Sequence, residues 1–369
     1  MKNNTIKLTA VSVLTFIMLI GIISLIQSNY KDEVPLPEFS WNSLSSGRFG
    51  KDLSKYFTNT LAFSNSWRKV GSRLDSKISG NIVEGVYIAD DRLIAADSSE
   101  RGSTEESAAF VNSFADDYDG AVYFVAVPTS AGVYGDALPA HLSRITEKQQ
   151  IDRLYEQLNG DIRRIDAYNL MKMLSDDRIY LRSDSRWTIY GAYCLYRTVI
   201  QKLGFQPVSF DKYTIRHVTN EYCGNLFRRT LYMKCEPDIL DIYEYADGTQ
   251  DIDCTCIDND GNERAGALYD ICALNNEDMY KLYLGERAPL VRIRTHVNHD
   301  RRLLLIGSEC AASFVPFLTH HYSEITVYFP EYAYDSLDSF VDPNDYEQTL
   351  FLFGIDKVKT DLFKKIETR

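Results

Sequence analysis

The segment "RRLLLIGSECAASFVPFLTHHYSEITVYFP" (301–330) constrains the fold more than any other part of this chain. It reads as strand, tight turn, helix and strand. A crossover this short joins neighbours that lie parallel in one sheet. "AVYFVAVPTS" (121–130) adds a buried strand with a turn at its end. The parallel sheet is therefore expected to hold strands near 121–127, 302–306 and 325–329. With 369 residues, 45% of them hydrophobic, the chain can bury one large core or two modest ones.

Other segments follow the same alternation. "IVEGVYIADDRLIAAD" (82–97) is a strand–turn–strand with its turn at Ala89-Asp90-Asp91. A polar helix spans 104–117, "ITEKQQIDRLYEQL" (145–158) is helical, and "IRRIDAYNLM" (162–171) is a strand followed by a short helix. Residues 205–300 are less regular, with short strands near 239–245, 252–257 and 290–294. Phe49, Leu53, Tyr56 and Phe57 fall at helical spacing, so 47–80 reads as one or two amphipathic helices. Strands alternating with helices predict a three-layer α/β/α fold with helices on both faces of the sheet.

Leu8 to Ile26 ("LTAVSVLTFIMLIGIISLI") is uncharged and long enough to cross a bilayer as a helix. Lys2 and Lys7 precede it, and Asp32 and Glu33 come after Lys31, which places the N-terminus in the cytoplasm. "SLIQSNYKDE" offers no good small-x-small cleavage site, so the run reads as an uncleaved signal anchor. The expected organisation is a cytoplasmic tip and transmembrane anchor (1–29), a tether (30–46) and an extracellular domain (47–369) in the cell membrane.

A net charge of −12 excludes nucleic-acid binding through phosphate neutralisation. The 25 Tyr and 18 Phe suit core and strand packing or a sugar-binding surface. All seven cysteines lie between Cys194 and Cys310, and an odd count leaves at least one thiol unpaired unless chains cross-link. Cys254-x-Cys256 alone is no zinc site, and the histidines show no HxxxH or HExxH spacing, so neither metal nor cofactor is expected.

Two turns carry candidate chemistry. "IYLRSDSRWTIYGAYCLYRTVIQKLG" (179–204) runs extended into Asp184-Ser185-Arg186-Trp187, and Thr188 can cap a helix that stops at Gly204. An aspartate beside arginine and tryptophan frames an acid–base site, yet nothing there titrates near neutral pH. The second turn follows "LLLIG", where ligands gather beyond the ends of strands in such sheets. Ser308 and Cys310 there are nucleophiles by type, but neither has a base nearby in sequence, and the Glu309 charge disfavours a thiolate or oxyanion.

These segments make the chain resemble the DHHW family, relatives of SGNH-hydrolase-like alginate O-acetylation proteins whose Asp-His motif precedes the serine motif. "NIVEGVYIADDRLIA" and "VYFVAVPTSAGVYGDALPA" are similar to family segments. "LRSDSRWTIYGAYCLY" resembles one carrying TDHHWT, and "NEDMYKLYLGERAPLVRI" one carrying FLGGN. "LLLIGSECAASFVPFLTHHYSEITVYFPEY" resembles one carrying KDSYA. The resemblance covers nearly the whole chain and implies an SGNH-hydrolase-like (flavodoxin-like) sheet with permuted motif order. It also implies a Ser-His-Asp triad with an oxyanion hole, acting on acyl esters of glycans.

Carried over residue by residue, the triad is missing. The family aspartate falls on Asp184, its first histidine on Ser185 and its catalytic histidine on Arg186. Its Asp-Ser pair falls on Ser308 and Glu309, and the Gly-Asn pair of the oxyanion hole on Glu286 and Arg287. Trp187, Gly191, Ala192, Ala311, Ser313, Phe314, Pro316 and Phe317 match. Arginine cannot act as a base near neutral pH. Asp184, Glu286 and Glu309 could face Arg186 and Arg287 in one cleft. That network is either a salt-bridged plug or a binding site using Asp184, Arg186, Trp187, Arg287 and Ser308, its arginines holding a carboxylate or phosphate. His320 and His321 are expected on the following helix as packing or surface residues.

The resemblance implies a membrane-anchored accessory protein acting beside a membrane-bound O-acyltransferase or an intact DHHW paralogue on a surface polysaccharide. Two alternatives are an active acetyl transferase or esterase using Ser308 or Cys310, and a scaffold in polymer assembly without a small ligand.

Overall fold

The computed structural model describes residues 79–95, 104–139, 147–232, 235–246 and 252–366, with scattered residues before 79. The expected anchor (8–26) and tether (30–46) lie almost wholly outside them. Among the described residues no helix is long and apolar enough to cross a membrane. The chain divides into two compact units, residues 1–78 with 231–233, and residues 79–230 with 234–369. In the first, the described Phe49, 68–72 and Ser76 are helical.

The second unit opens with a small antiparallel sheet, β1 (Ile82–Val83), β2 (Val86–Ile88) and β3 (Leu93–Ala95), its second hairpin turning at 89–92 as expected. It continues with α1 (Thr104–Asp116), β4 (Ala121–Val127), α2 (Ser130–Val133), α3 (Glu147–Gln157), β5 (Arg163–Ile165), α4 (Ala167–Met173) and α5 (Ile189–Lys202). Then come β6 (Tyr213–Tyr222), α6 (Asn225–Thr230), β7 (Asp238–Tyr245), β8 (Asp253–Ile257), β9 (Glu263–Ala265) and β10 (Leu290–Arg294). The chain ends with β11 (Arg302–Gly307), β12 (Glu324–Tyr328), β13 (Gln348–Gly354) and α7 (Thr360–Phe363).

Eight strands form the main sheet in the order β5-β4-β13-β11-β12-β10-β8-β9. From β5 to β12 every neighbour is parallel, including the expected β11–β12 pair. The sheet is not wholly parallel, however. β10, β8 and β9 extend it antiparallel, because β8–β9 is a hairpin and β10 runs against both β12 and β8. β13, which no expectation placed, is the middle one of the five parallel strands, between β4 and β11.

Alternation along the central strands builds two cores. Tyr123, Val125 and Val127 of β4, with Leu303 and Leu305 of β11, pack on one face with Tyr193, Tyr196 and Val199 of α5. Phe124 and Ala126, with Leu304 and Ile306, pack on the other face with Val111 and Phe114 of α1 and Leu154 of α3. A strand presents successive side chains to opposite faces, so a continuous apolar run is what a sheet covered on both sides requires.

The expected helix between β11 and β12 is instead two 3-10 turns, Glu309–Ser313 and Val315–Leu318, with His320 and His321 in the turn after them. Pro316 lacks the N–H that a continuing helix would need. "IYLRS" is likewise no sheet strand. It makes an isolated antiparallel bridge, Tyr180 to Trp187, which folds the loop back on itself. β6 and β7 form a separate ribbon beside α5.

Candidate functional site

The loop between that bridge and α5 is held by local chemistry. Thr188 Oγ1 accepts from Gly191 N–H (3.0 Å) and caps α5, and Gly191 passes so close to the Ile179 carbonyl that a Cβ there would lie 2.3 Å from its oxygen. Asp184 Oδ1 accepts from the Arg186 backbone N–H at 2.9 Å, a turn in which a short carboxylate replaces a carbonyl. The buried Asp238 at the start of β7 accepts from the backbone N–H groups of Arg182 and Ser183, both at 2.8 Å. Asn225 of α6 accepts from Ser185 N–H at 3.0 Å and gives its own N–H to Asp184 Oδ2 at 2.8 Å. The ribbon and α6 thus fix where Asp184 points.

Arg186 lies at the centre of the site, 8% exposed. Its Nε donates to Asp184 Oδ1 and its Nη2 reaches Oδ2, both at 2.8 Å. Nη1 donates to Asp278 Oδ2 at 3.0 Å and to Glu309 Oε1 at 2.9 Å, while Nη2 also lies 2.7 Å from Asp278 Oδ1. The Tyr222 hydroxyl, at the end of β6, donates to Asp184 Oδ2 at 2.6 Å and stands 2.7 Å from Nη2. The guanidinium stacks over Tyr280, 4.2 Å from the ring centre. Tyr280 itself donates to the Trp187 carbonyl at 3.0 Å.

Charge settles the protonation states. Burial pushes the Asp184 carboxyl up, but the Arg186 charge, the Arg186 and Tyr222 hydrogen bonds and the Asn225 N–H outweigh it and hold the group at about 2. Asp278 is lowered in the same way: burial opposes, and Arg186 wins. Arg186 is raised despite its burial, by the Asp184 charge and the hydrogen bonds of Asp184 and Asp278. Burial, then the Asp184 charge, raises the Tyr222 hydroxyl, so it stays protonated as a donor.

Asp184, Arg186, Arg287 and Glu309 meet in one cluster, with Arg287 Nη2 lying 3.4 Å from Glu309 Oε1. Arg287 Nη1 donates to the carbonyls of Tyr283 (2.6 Å) and Gly285 (3.1 Å). Glu286 does not join them. It turns to solvent and pairs with Lys281 at 2.6 Å, because neighbours in this turn point to opposite sides. Asp278 takes the place expected for Glu286, and Tyr222 joins it. Asp278 lies in the quoted "NEDMYKLYLGERAPLVRI" segment, the one sequence signal that could have found it; nothing local marks Tyr222.

Trp187 and Ser308, expected as binding residues, are each 1% exposed. Trp187 Nε1 donates to Ser313 Oγ at 2.8 Å and to the Cys310 carbonyl at 3.1 Å, which ties the loop to the turn after β11. Ser308 Oγ accepts from Gly354 N–H at 3.1 Å and lies 3.2 Å from Cys310 Sγ. Burial pushes the Cys310 thiol up to about 12, so it is no thiolate near neutral pH. His321, held down to about 4 by burial, packs in the core 2.6 Å from the Tyr196 hydroxyl. All seven cysteines are free thiols, and no group of His, Cys, Asp and Glu among the described residues could hold a metal.

An arginine has five N–H donors. At Arg186 all five find carboxylate oxygens of Asp184, Asp278 and Glu309. The guanidinium is thus fully engaged within its own chain, and it stays protonated near neutral pH.

The family model for DHHW protein matches residues 36–328. The solved structure of a DHHW family protein from Eubacterium siraeum is similar, at 19% identity and a TM-score of 0.65, covering 77% of this chain and 96% of that one. Bacillus cereus PatB1 matches at 18% identity and a TM-score of 0.62, covering 75% of this chain and 98% of that one. PatB1 with a sulfonyl adduct matches at 17% identity and a TM-score of 0.60, covering 76% and 96%. At these identities the likeness to the solved structures is one of fold. No curated protein matches the chain.

Proposed function

The chain belongs to the DHHW family, and from that premise we propose that it is a catalytically silent member with an accessory role in acylating or assembling a cell-surface polysaccharide. Its fold is then the SGNH-hydrolase-like one with permuted motif order. The apolar run 8–26 anchors it, residues 30–46 tether it, and the domain from 47 onward works at the outer face of the membrane. The implied partner is a membrane-bound O-acyltransferase or an intact DHHW paralogue. One observation carries the silent reading: the residue at the catalytic histidine position, Arg186, has every N–H donor bound by a carboxylate of its own chain. A group so held is a structural plug, since a ligand carboxylate or phosphate would have to displace a partner already in place.

Deletion and complementation test this. Loss of the gene should lower the O-acetyl content or the amount of the surface polymer. A chain carrying Ser308→Ala or Cys310→Ala should restore it as well as the unaltered chain does. An unchanged polymer would remove the accessory role. Failure of the Ser308→Ala or Cys310→Ala chain alone, with normal protein levels, would instead make the protein an enzyme.

A further inference from the structure

The opposite end of the main sheet holds a cleft of about 420 Å³ that the Arg186 cluster does not touch. Its floor is the N-terminal end of three parallel strands, Ala121 and Tyr123 of β4, Arg163 of β5 and Gln348 of β13. The end of α5 (Lys202, Leu203, Gly204) and Arg301 complete the wall. Three cations therefore face one cavity of a chain whose net charge is −12. The volume lies within the usual range for small-ligand sites.

How these cations are held matters more than their number. Among the described residues none of Arg163, Lys202 and Arg301 has a carboxylate partner, so no described acid neutralises the charge facing the cleft. Arg163 Nη1 donates to the Tyr123 hydroxyl at 2.5 Å, and its guanidinium lies 5.1 Å from that ring's centre. The Arg301 guanidinium lies over Phe205, 5.0 Å from its centre. Both guanidiniums thus rest against aromatic residues rather than against carboxylates. Glu347, the one carboxylate in the wall, has Oε2 engaged by the Arg302 N–H at 2.6 Å. On the floor, Gln348 Nε2 donates to the Leu203 carbonyl at 3.1 Å and its Oε1 accepts from the Tyr322 hydroxyl at 2.6 Å, which fixes the amide. Two planar guanidiniums beside a point-charge ammonium are the donor set that phosphate recognition uses.

We propose that this cleft binds a phosphate group, held between Arg163 and Arg301 with Lys202 as the third charge. The proposal is independent of the reading of the Arg186 cluster. The phosphate could be a free ion or the end of an ester, and the two are separable. Full-length protein in neutral detergent is titrated calorimetrically with inorganic phosphate, with glycerol 3-phosphate and with dimethyl phosphate. Saturable one-to-one binding is expected. It should weaken about tenfold or more in Arg163→Gln/Arg301→Gln, as loss of charge-assisted hydrogen bonds predicts. Lys202→Gln should weaken it too, at an exposed side chain in the last turn of α5. Tighter binding of glycerol 3-phosphate than of inorganic phosphate assigns the site to esters, and the reverse assigns it to the free ion. Absence of saturable heat with all three probes, or an affinity unchanged in both variants while their thermal unfolding matches the parent, would overturn the proposal.

Discussion

Arg186 and Asp184, two residues apart in sequence, face each other through two parallel hydrogen bonds of 2.8 Å, Nε to Oδ1 and Nη2 to Oδ2. The pair is buried, so its energetics are those of charges in a poor dielectric. Breaking such a pair by removing one member leaves an uncompensated charge, which costs more than the pair itself contributes.

Arg186→Met should therefore destabilise the protein by about 3–5 kcal/mol, because Asp184 and Asp278 would face each other without their shared cation. Glu309→Gln, at a side chain 27% exposed, should cost less than about 1 kcal/mol. Urea unfolding of both variants measures the contrast. Equal and small losses would show that water solvates the cluster.

Acid should release part of this stability. Asp184 is held at about 2 against an ordinary value of 3.8, so its contribution is complete above the unfolded value and is lost as pH falls from about 4 to about 2. The shift corresponds to about 2–3 kcal/mol. Asp278 moves in the same direction. Unfolding midpoints between pH 6 and pH 2 should fall steeply in the parent and more shallowly in Asp184→Asn. A parallel fall in both would place the acid sensitivity elsewhere.

Gly224→Ala should disturb the same cluster from the other side. A Cβ at 224 would lie 2.3 Å from Asp184 Cβ and 2.5 Å from its Oδ2, closer than any real contact. Overpacking of this kind costs about 1–3 kcal/mol, and here it also pushes the carboxylate off Arg186. Thermal unfolding would register it, and a variant as stable as the parent would mean that the loop has room to move.

Returning two family residues should not bring back catalysis. Arg186→His with Glu309→Ser supplies a base and a hydroxyl by type, but Arg287 still occupies the expected oxyanion position, its Nη1 committed to the Tyr283 and Gly285 carbonyls. Hydrolysis of p-nitrophenyl acetate by the double variant should stay at the background rate. Saturable turnover would show that these two substitutions alone silenced the site.

Where a pattern repeats locally, the residues alone set the element. Apolar runs gave β4, β11 and β12 their places, and Thr188 and Gly204 bounded α5. β13 carries an apolar signal of the same kind in Thr349-Leu-Phe-Leu-Phe353, but no tight turn and following strand mark it as part of a local unit. The resemblance of the 179–204 and 301–330 segments to family motifs was legible in the residues themselves, and with it the expectation that Arg186 and Glu309 stand at the histidine and serine positions.

Tertiary structure decided which charges meet. Asp278 and Tyr222 lie 92 and 36 residues from Arg186, and only the folding of the ribbon and the 278–287 turn brings them to it. Glu286 and Arg287 are adjacent in sequence yet part company, one paired at the surface with Lys281 and the other buried against Glu309. Periodicity and capping act over a few residues, so a sequence displays them. An ion pair depends on position and desolvation in three dimensions, where a residue's neighbours are set by the sheet order rather than by the chain.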